Sequence, residues 1–239
     1  MDRALDRALS PWNGTTEPIT ILFSGGVDSG LLAWELRRRP STDLFTIGTE
    51  GSSDLVAAGS AARAIELPWS RAVITPADLA ASTDRHSADI EGLAATPRSI
   101  FLSLAIALER TPARSVLCGQ GADELFLGYA HFRGLDPAHC ASRAAADLER
   151  LQVEDWPRTL RIAERVGRRI HAPFLDPGFV REAASIPLED RLPTSESKGW
   201  WRAWARARGL PREIADRPKR ALQYGSGIAS LARHVAPRP

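Results

Sequence analysis

Ile19-Thr20-Ile21-Leu22-Phe23-Ser24-Gly25-Gly26-Val27-Asp28-Ser29 decides how the rest of the chain is read. Its first five residues, apolar or β-branched, predict a strand. Gly25-Gly26 predicts a tight turn, and Ser29–Arg39 a helix, with Arg37, Arg38 and Arg39 in its last turn and Pro40 as the stop. Strand, glycine turn, helix makes a mould for an anion. The glycines leave no side chain in the way of a ligand. Successive N–H groups point into one concavity, and the helix adds its positive end. The Ser24 and Ser29 hydroxyls add donors. Asp28 is out of place in an anion site unless a cation sits there too, and it points to Mg²⁺.

The spacing excludes the familiar alternatives. The turn carries no GxxxxGK[ST] and no lysine, which disfavours ordinary γ-phosphoryl transfer, and it carries no GxGxxG.

Outward from this turn the chain alternates. Strands are expected at Leu44–Ile47, Arg71–Thr75 and Ser115–Cys118, and helices at Asp54–Ile65 and Pro97–Arg110. This order predicts an α/β fold, a doubly wound and mostly parallel sheet. Such sheets bind ligands at the carboxyl ends of their strands, where the turn after Phe23 and a second glycine motif at Gly119 both fall. After Tyr129 the pattern becomes helical: 137–153, 155–168, 179–184 and 199–208, with an irregular stretch over 170–177. The expected organisation is a leader over 1–18, a nucleotide-binding core over 19–130, and a helical subdomain over 131–239 that completes the active site.

Bulk properties suit a soluble enzyme. The 239 residues give ample length for a core. No apolar run is long enough to span a membrane, and no signal peptide is legible, so a cytoplasmic location is expected. Cys118 and Cys140 make no disulfide framework. The net charge of +2 does not by itself imply nucleic acid. Charge is nonetheless uneven: Lys198, Arg202, Arg206, Arg208, Arg212, Arg217, Lys219 and Arg220 face only Glu213 and Asp216. Such a run is usually a solvated helix face, and here it could also neutralise phosphates or attract tRNA. Trp200, Trp201 and Trp204 read as core packing rather than a partner surface.

Four blocks in order resemble the PP-loop ATP pyrophosphatases, and among them the synthetase domain of class B asparagine synthetases and β-lactam synthetases. They are Ser24–Ser29 (SGGVDS), Gly119–Tyr129 (GQGADELFLGY), Pro173–Asp176 (PFLD), and Arg217-Pro218-Lys219 followed by Gly225-Ser226-Gly227. The resemblance runs from Ile19 to Gly227 and implies an adenine nucleotide α-hydrolase-like fold. It also implies a reaction: ATP is split between its α and β phosphates, a substrate oxygen is adenylated, and pyrophosphate is released. ATP and Mg²⁺ are the implied cofactors. Asp28 and Asp123 become the metal ligands, with Glu124 behind them. Ser24, Gly25, Gly26, Ser29 and Gly119 become nucleotide contacts. Lys219 would follow the charge of the phosphates, Ile47 and Gly48 would border adenine beside Thr46, and Arg98 falls at a family arginine that touches ATP.

The departures are informative. Asparagine synthetases of this class open with a glutaminase domain whose nucleophile is an N-terminal cysteine, whereas this chain begins Met1-Asp2. The expectation is therefore free ammonia, a separate glutaminase partner or another amine. Gln120 stands where glutamate or tyrosine is common; it can hydrogen-bond an acceptor but cannot act as a general base. The family's ExRxP reads Arg169-Ile170-His171-Ala172-Pro173 here, so a carboxylate base is missing at both familiar places. His171 could replace it, although a lone histidine beside proline is more often structural. The ATP half is intact and the acceptor half rebuilt. The resulting expectation is a ligase acting on a small-molecule carboxylate, with Lys219, Asp123 and Gln120 as its catalytic residues; Arg169 and the basic run suggest a larger or more anionic acceptor than aspartate. Two alternatives stand beside it. One is a tRNA-modifying PP-loop enzyme, with Cys118 near the strand end. The other is a nucleotide-binding partner of an amidotransferase with reduced catalysis.

Overall fold

A computed structural model describes residues 1–193, 197–218 and 225–235, the side chains of 232–235 excepted. Five strands form one sheet: β1 (Ile19–Leu22), β2 (Thr42–Gly48), β3 (Trp69–Val73), β4 (Ser115–Leu117) and β5 (Arg169–His171). All neighbours run parallel, in the order β3-β2-β1-β4-β5. Ile21 of the central strand lies opposite Leu44 on one side and Leu117 on the other.

Strand side chains alternate between two separate cores, which is the signature of a sheet covered on both faces. Ile19, Ile21, Leu44 and Leu117 pack on one side with helices α1 (Asp2–Leu9), α2 (Val27–Leu36) and α3 (Ser53–Ile65). Phe45, Ile47, Val116 and Cys118 pack on the other. Their partners there come from α4 (Pro76–Arg85), the short α5 (Ser87–Ile90), α6 (Ala95–Arg110), α9 (Trp156–Arg165) and the C-terminal helix Ile228–Val235. Between these lie α7 (Ala122–Leu125), which opens the second glycine motif, and α8 (Pro137–Arg150). Helices α10 (Pro177–Ala184), α11 (Leu188–Arg191), α12 (Gly199–Ala207) and α13 (Arg212–Ala215) follow β5. The doubly wound parallel fold expected from the sequence is the one observed.

The topology itself places a site. The chain leaves β1 toward β2 and β3, then crosses back to put β4 on the other side of β1. The carboxyl ends of β1 and β4 therefore flank the switch point where such sheets open a crevice. Both glycine motifs are at those two ends.

The differences from expectation are local. The segment 1–18 read as a leader contains α1, whose Ala4, Leu5 and Leu9 join the main core. The stretch over 170–177, read as irregular, begins with β5, which completes the sheet from within the part read as helical. Helix α4 was not anticipated. Its Thr75 side chain accepts from Asp78 N–H while the Asp78 carboxylate accepts from Thr75 N–H, with Pro76 at the first turn. Between α8 and α9 the chain makes a π-helical turn, Leu151–Asp155, instead of breaking into two helices. Among the described residues no helix is long and apolar enough to cross a membrane.

Candidate active site

The turn after β1 is shaped by contacts on both sides. Gly25 has φ +73°, and a Cβ there would lie 2.8 Å from the Ala57 carbonyl carbon. Only glycine lets the turn sit directly on the backbone of α3. Within the turn, Ser24 N–H donates to Ser29 Oγ at 3.2 Å, and Gly26 N–H approaches Ser24 Oγ at 3.4 Å. Arg217 ties the loop down from outside: its guanidinium donates to the Ser24 carbonyl, to the Ser53 carbonyl at 3.3 Å and to Asp54 Oδ1 at 2.8 Å.

The second motif meets the first edge to edge. Gly119 comes so close that a Cβ on it would stand 3.0 Å from the Asp28 Cβ. Helix α7 then presents Asp123. The two carboxylates come from different strand ends and share one partner, the ammonium of Lys198. Its Nζ lies 2.8 and 2.7 Å from the Asp28 oxygens and 2.6 Å from Asp123 Oδ1. Lys198 is 1% exposed. Burial works against its charge, but Asp123 and Asp28 outweigh that and hold its pKa above the ordinary lysine value. Gly128 leaves the room for this arrangement, since a Cβ there would fall 2.0 Å from Asp123 Oδ1 and 2.3 Å from Lys198 Cε.

Behind the carboxylates is an aromatic wall. The Trp201 indole donates to Asp28 Oδ1 at 2.9 Å. Its ring stacks on Phe126 of the second motif at 4.2 Å and meets Phe174 of the Pro173–Asp176 block edge-on at 5.2 Å. Glu124, the neighbour of Asp123, accepts from the Tyr129 hydroxyl at 2.5 Å. Burial and then the Asp123 charge push its carboxyl up to about 7. Tyr129 is held as a phenol by burial and the surrounding carboxylates.

Asp28, Asp123, Glu124, Tyr129 and Lys198 line a cavity of about 560 Å³, within the range of small-molecule sites. Of the residues expected at the site, Ser24, Gly26, Asp28, Ser29, Ile47, Gly119, Gln120 and Asp123 line it. Gly25 and Gly48 support it from behind: Gly48 packs on Ser52 and on the Ser226 carbonyl. Arg98 is exposed on the first turns of α6; it is Thr96, Pro97, Ile100, Phe101, Leu104 and Ala107 from this helix that reach the cavity. Lys219 lies outside the described residues. Neither Arg169 nor His171 is on the cavity wall: Arg169 is exposed, and His171 packs edge-on against Trp12 at 5.1 Å.

The main residue the sequence reading passed over is Lys198, taken there as one of several surface cations. Its immediate sequence carries no signal that separates it from the neighbouring cations. The structure also brings Arg143, Arg150 and Asp155 of α8 and the π turn to the far end of the cavity. The Arg143 Nε is 3.2 Å from Asp147, and the Arg150 Nε is 3.9 Å from Asp155.

The donor set suits a hard divalent cation. Two carboxylates from separate elements converge on one point in a pocket that a single methyl group at position 128 would fill. Mg²⁺ takes one or two protein carboxylates and completes its shell with phosphate and water. Among the described residues no cluster of three or more His, Cys, Asp or Glu is placed to hold a metal ion.

Fold and site together define an α/β protein with a glycine-turn site at the switch point of its parallel sheet. The chain belongs to the asparagine synthase family, whose profile matches residues 1–146 and 137–237. It is similar to the asparagine synthetase [glutamine-hydrolyzing] of Gallus gallus, at 28% identity over 90% of this chain and 40% of that protein. It is also similar to asparagine synthetase [glutamine-hydrolyzing] 1 of Arabidopsis thaliana, at 26% identity over 98% of this chain and 44% of that one. The chain spans about half the length, or less, of the curated relatives it matches. Among solved structures, NMN synthetase from Francisella tularensis aligns at TM-score 0.42 and 15% identity, covering 100% of this chain and 98% of that one. A likeness that distant says nothing of activity.

Proposed function

We propose that this chain is an ATP-dependent, Mg²⁺-requiring ligase that adenylates a carboxylate and then forms an amide bond. One observation carries the reading: Asp28 and Asp123, from two strand ends, meet at Lys198 beside the pyrophosphate-shaped turn. In the first step an acceptor oxygen attacks the α-phosphorus of ATP, and the bond to the β-phosphate oxygen breaks with release of pyrophosphate. In the second, an amine nitrogen attacks the acyl carbon, loses a proton, and AMP departs. Asp28 and Asp123 would hold the Mg²⁺. When bound, the ion screens the triphosphate and stabilises charge on the leaving group.

The protein's own groups supply position and field. The N–H groups of the turn face the phosphates, and Lys198 adds a buried cation. Lys219 is proposed as a second lysine at the phosphates, on the family motif alone. Thr46 and Ile47 border an apolar wall suited to adenine. Gln120 lines the cavity beside Gly119, and its amide is proposed to orient the acceptor. The guanidinium groups of Arg143 and Arg150, seven residues apart on one helix face, support an acceptor with a second anionic group. Free ammonia, or ammonia delivered by a separate glutaminase, is the proposed nitrogen source.

A tRNA-modifying role that used Cys118 as nucleophile has less support. Burial pushes the Cys118 thiol up to about 12, and thiolate rather than thiol is the reactive form. The test is product analysis with ATP, Mg²⁺, ammonia and a pool of carboxylic acids. AMP and pyrophosphate in equal amounts are expected; ADP and phosphate as products would overturn the proposal.

A further inference from the structure

Arg202 is a cation without a counter-ion among the described residues. It lies on α12, one turn after Lys198, is 3% exposed, and lines the same cavity. The other cations of that wall each face a carboxylate: Lys198 has Asp28 and Asp123, Arg217 has Asp54, Arg143 has Asp147, and Arg150 has Asp155. Arg202 faces only carbonyls. Its Nε donates to Ser197 O at 3.0 Å, and its Nη1 donates to Ala215 O and, at 2.9 Å, to Arg217 O.

Burying a full charge is costly unless an opposite charge accompanies it. Three carbonyl dipoles lower that cost but bring no net charge. Among the described residues they also occupy only two of the three guanidinium nitrogens, and Nη2 has neither of its N–H donors engaged. Nη2 of this cavity-lining residue can therefore give its two N–H donors, with the positive charge behind them, to phosphate oxygens. The bonded half of the group has a second consequence. It links the carbonyl before Lys198 to the carbonyl of Arg217, and Arg217 in turn holds the Ser24 carbonyl of the turn. One side chain thus joins the ammonium at the two carboxylates to the loop that would cradle phosphate.

We propose that Arg202 is a direct ligand of the β,γ-phosphates of the bound nucleotide, and of the pyrophosphate they become, with the polyphosphate as its missing counter-ion. The inference rests on the ATP site assigned under Proposed function and adds a residue to it. No covalent step passes through Arg202: it binds charge that shifts onto the leaving oxygen, and it keeps its own proton throughout.

The test is calorimetric binding of magnesium pyrophosphate, and separately of AMP, to the full chain and to Arg202→Met and Arg202→Lys. Arg202→Met is expected to weaken pyrophosphate binding about 10-fold or more, the scale of a lost hydrogen bond to a charged group. AMP lacks the β and γ groups, so its affinity should stay within about 2-fold of the unaltered chain, which a general loss of structure would not allow. Arg202→Lys keeps the charge but cannot both hold the three carbonyls and donate to phosphate, and should fall between the two. Pyrophosphate affinity equal to that of the unaltered chain in either variant would overturn the proposal. If Arg202→Met does not fold, a crystal structure of the unaltered chain with magnesium pyrophosphate decides: Nη2 is expected within hydrogen-bond distance of a phosphate oxygen, and separation beyond that overturns it. Failure of the unaltered chain to bind pyrophosphate at all would instead count against the nucleotide site itself.

Discussion

The Trp201 indole N–H donates to Asp28 Oδ1 at 2.9 Å, joining the first glycine turn to a helix about 170 residues further along the chain. Trp201 is wholly buried and stacked on Phe126, so it cannot turn away without unpacking the aromatic wall. It thereby fixes the orientation of the Asp28 carboxylate, both of whose oxygens face Lys198. Trp201→Phe keeps most of the packing and removes the donor. Partners placed behind a metal ligand typically contribute about 10–100-fold in affinity or activity, and that is the loss expected in Mg²⁺-dependent ATP binding. An unchanged magnesium requirement would show that the bond is only structural.

Gly128 sits where the two charges meet. Gly128→Ala inserts a methyl group 2.0 Å from Asp123 Oδ1 and 2.3 Å from Lys198 Cε. Overpacking of this kind costs about 1–3 kcal/mol, measurable as a lower denaturation midpoint. Because the strain falls on Asp123, nucleotide-dependent activity should drop further than stability explains.

Cys118 gives a pH signature. Its thiol has an ordinary value of 9.0 and is pushed up to about 12 by burial, against a weaker opposing hydrogen bond at Gln120. Between those two values the unfolded chain has released the proton and the folded chain has not. Stability should therefore be unaffected by this group below pH 9 and fall as pH rises toward 12. Cys118→Ala should flatten that alkaline limb in thermal melts. A thiol reagent at pH 7.5 should leave Cys118 of the folded chain unmodified; rapid labelling would contradict the burial argument.

An acid-side signature comes from α6. Glu109 bonds Arg85 at 2.9 and 2.7 Å and His86 at 3.0 Å. Burial raises its pKa, but the Arg85 and His86 contacts together outweigh it, and the net value lies below the ordinary 4.5. A depressed carboxylate stabilises the fold above its unfolded pKa, and that contribution is lost as pH falls through the folded one. Glu109→Gln should cost about 1 kcal/mol at neutral pH and lose its difference from the parent chain as pH falls below 4.5 and through the depressed folded value.

The parts that were legible in the sequence are those with local causes. Strand periodicity and the glycines located β1, β2 and β4 and both turns; Asp28 stood out because a carboxylate is unusual beside an anion mould, and Asp123 through the resemblance of its GQGADE block. Helix α4 was also legible: Thr75-Pro76-Ala77-Asp78 is a capping box with proline at the first turn, overlooked because 71–75 had been assigned to a strand. Other features have no local cause. Nothing in its immediate sequence separates Lys198 from Arg206 or Arg212, because its burial comes from α12 docking through Trp201 onto Phe126 and Phe174. The π turn at Leu151–Asp155 lies in one continuous helical pattern, where a single extra residue per turn leaves no compositional mark. Strand β5 is only three residues long at a sheet edge, too short for alternation to show.

The central claim is that Asp28 and Asp123 jointly hold a divalent ion on a nucleotide phosphate chain. The most direct measurement is electron paramagnetic resonance titration of Mn²⁺ with a non-hydrolysable α,β-methylene analogue of ATP, on the unaltered chain and on Asp28→Asn and Asp123→Asn. The account predicts a bound Mn²⁺–nucleotide signal in the unaltered chain and at least about 10-fold weaker binding in each variant. Equal Mn²⁺–nucleotide affinity in Asp123→Asn, with the fold intact, would contradict it.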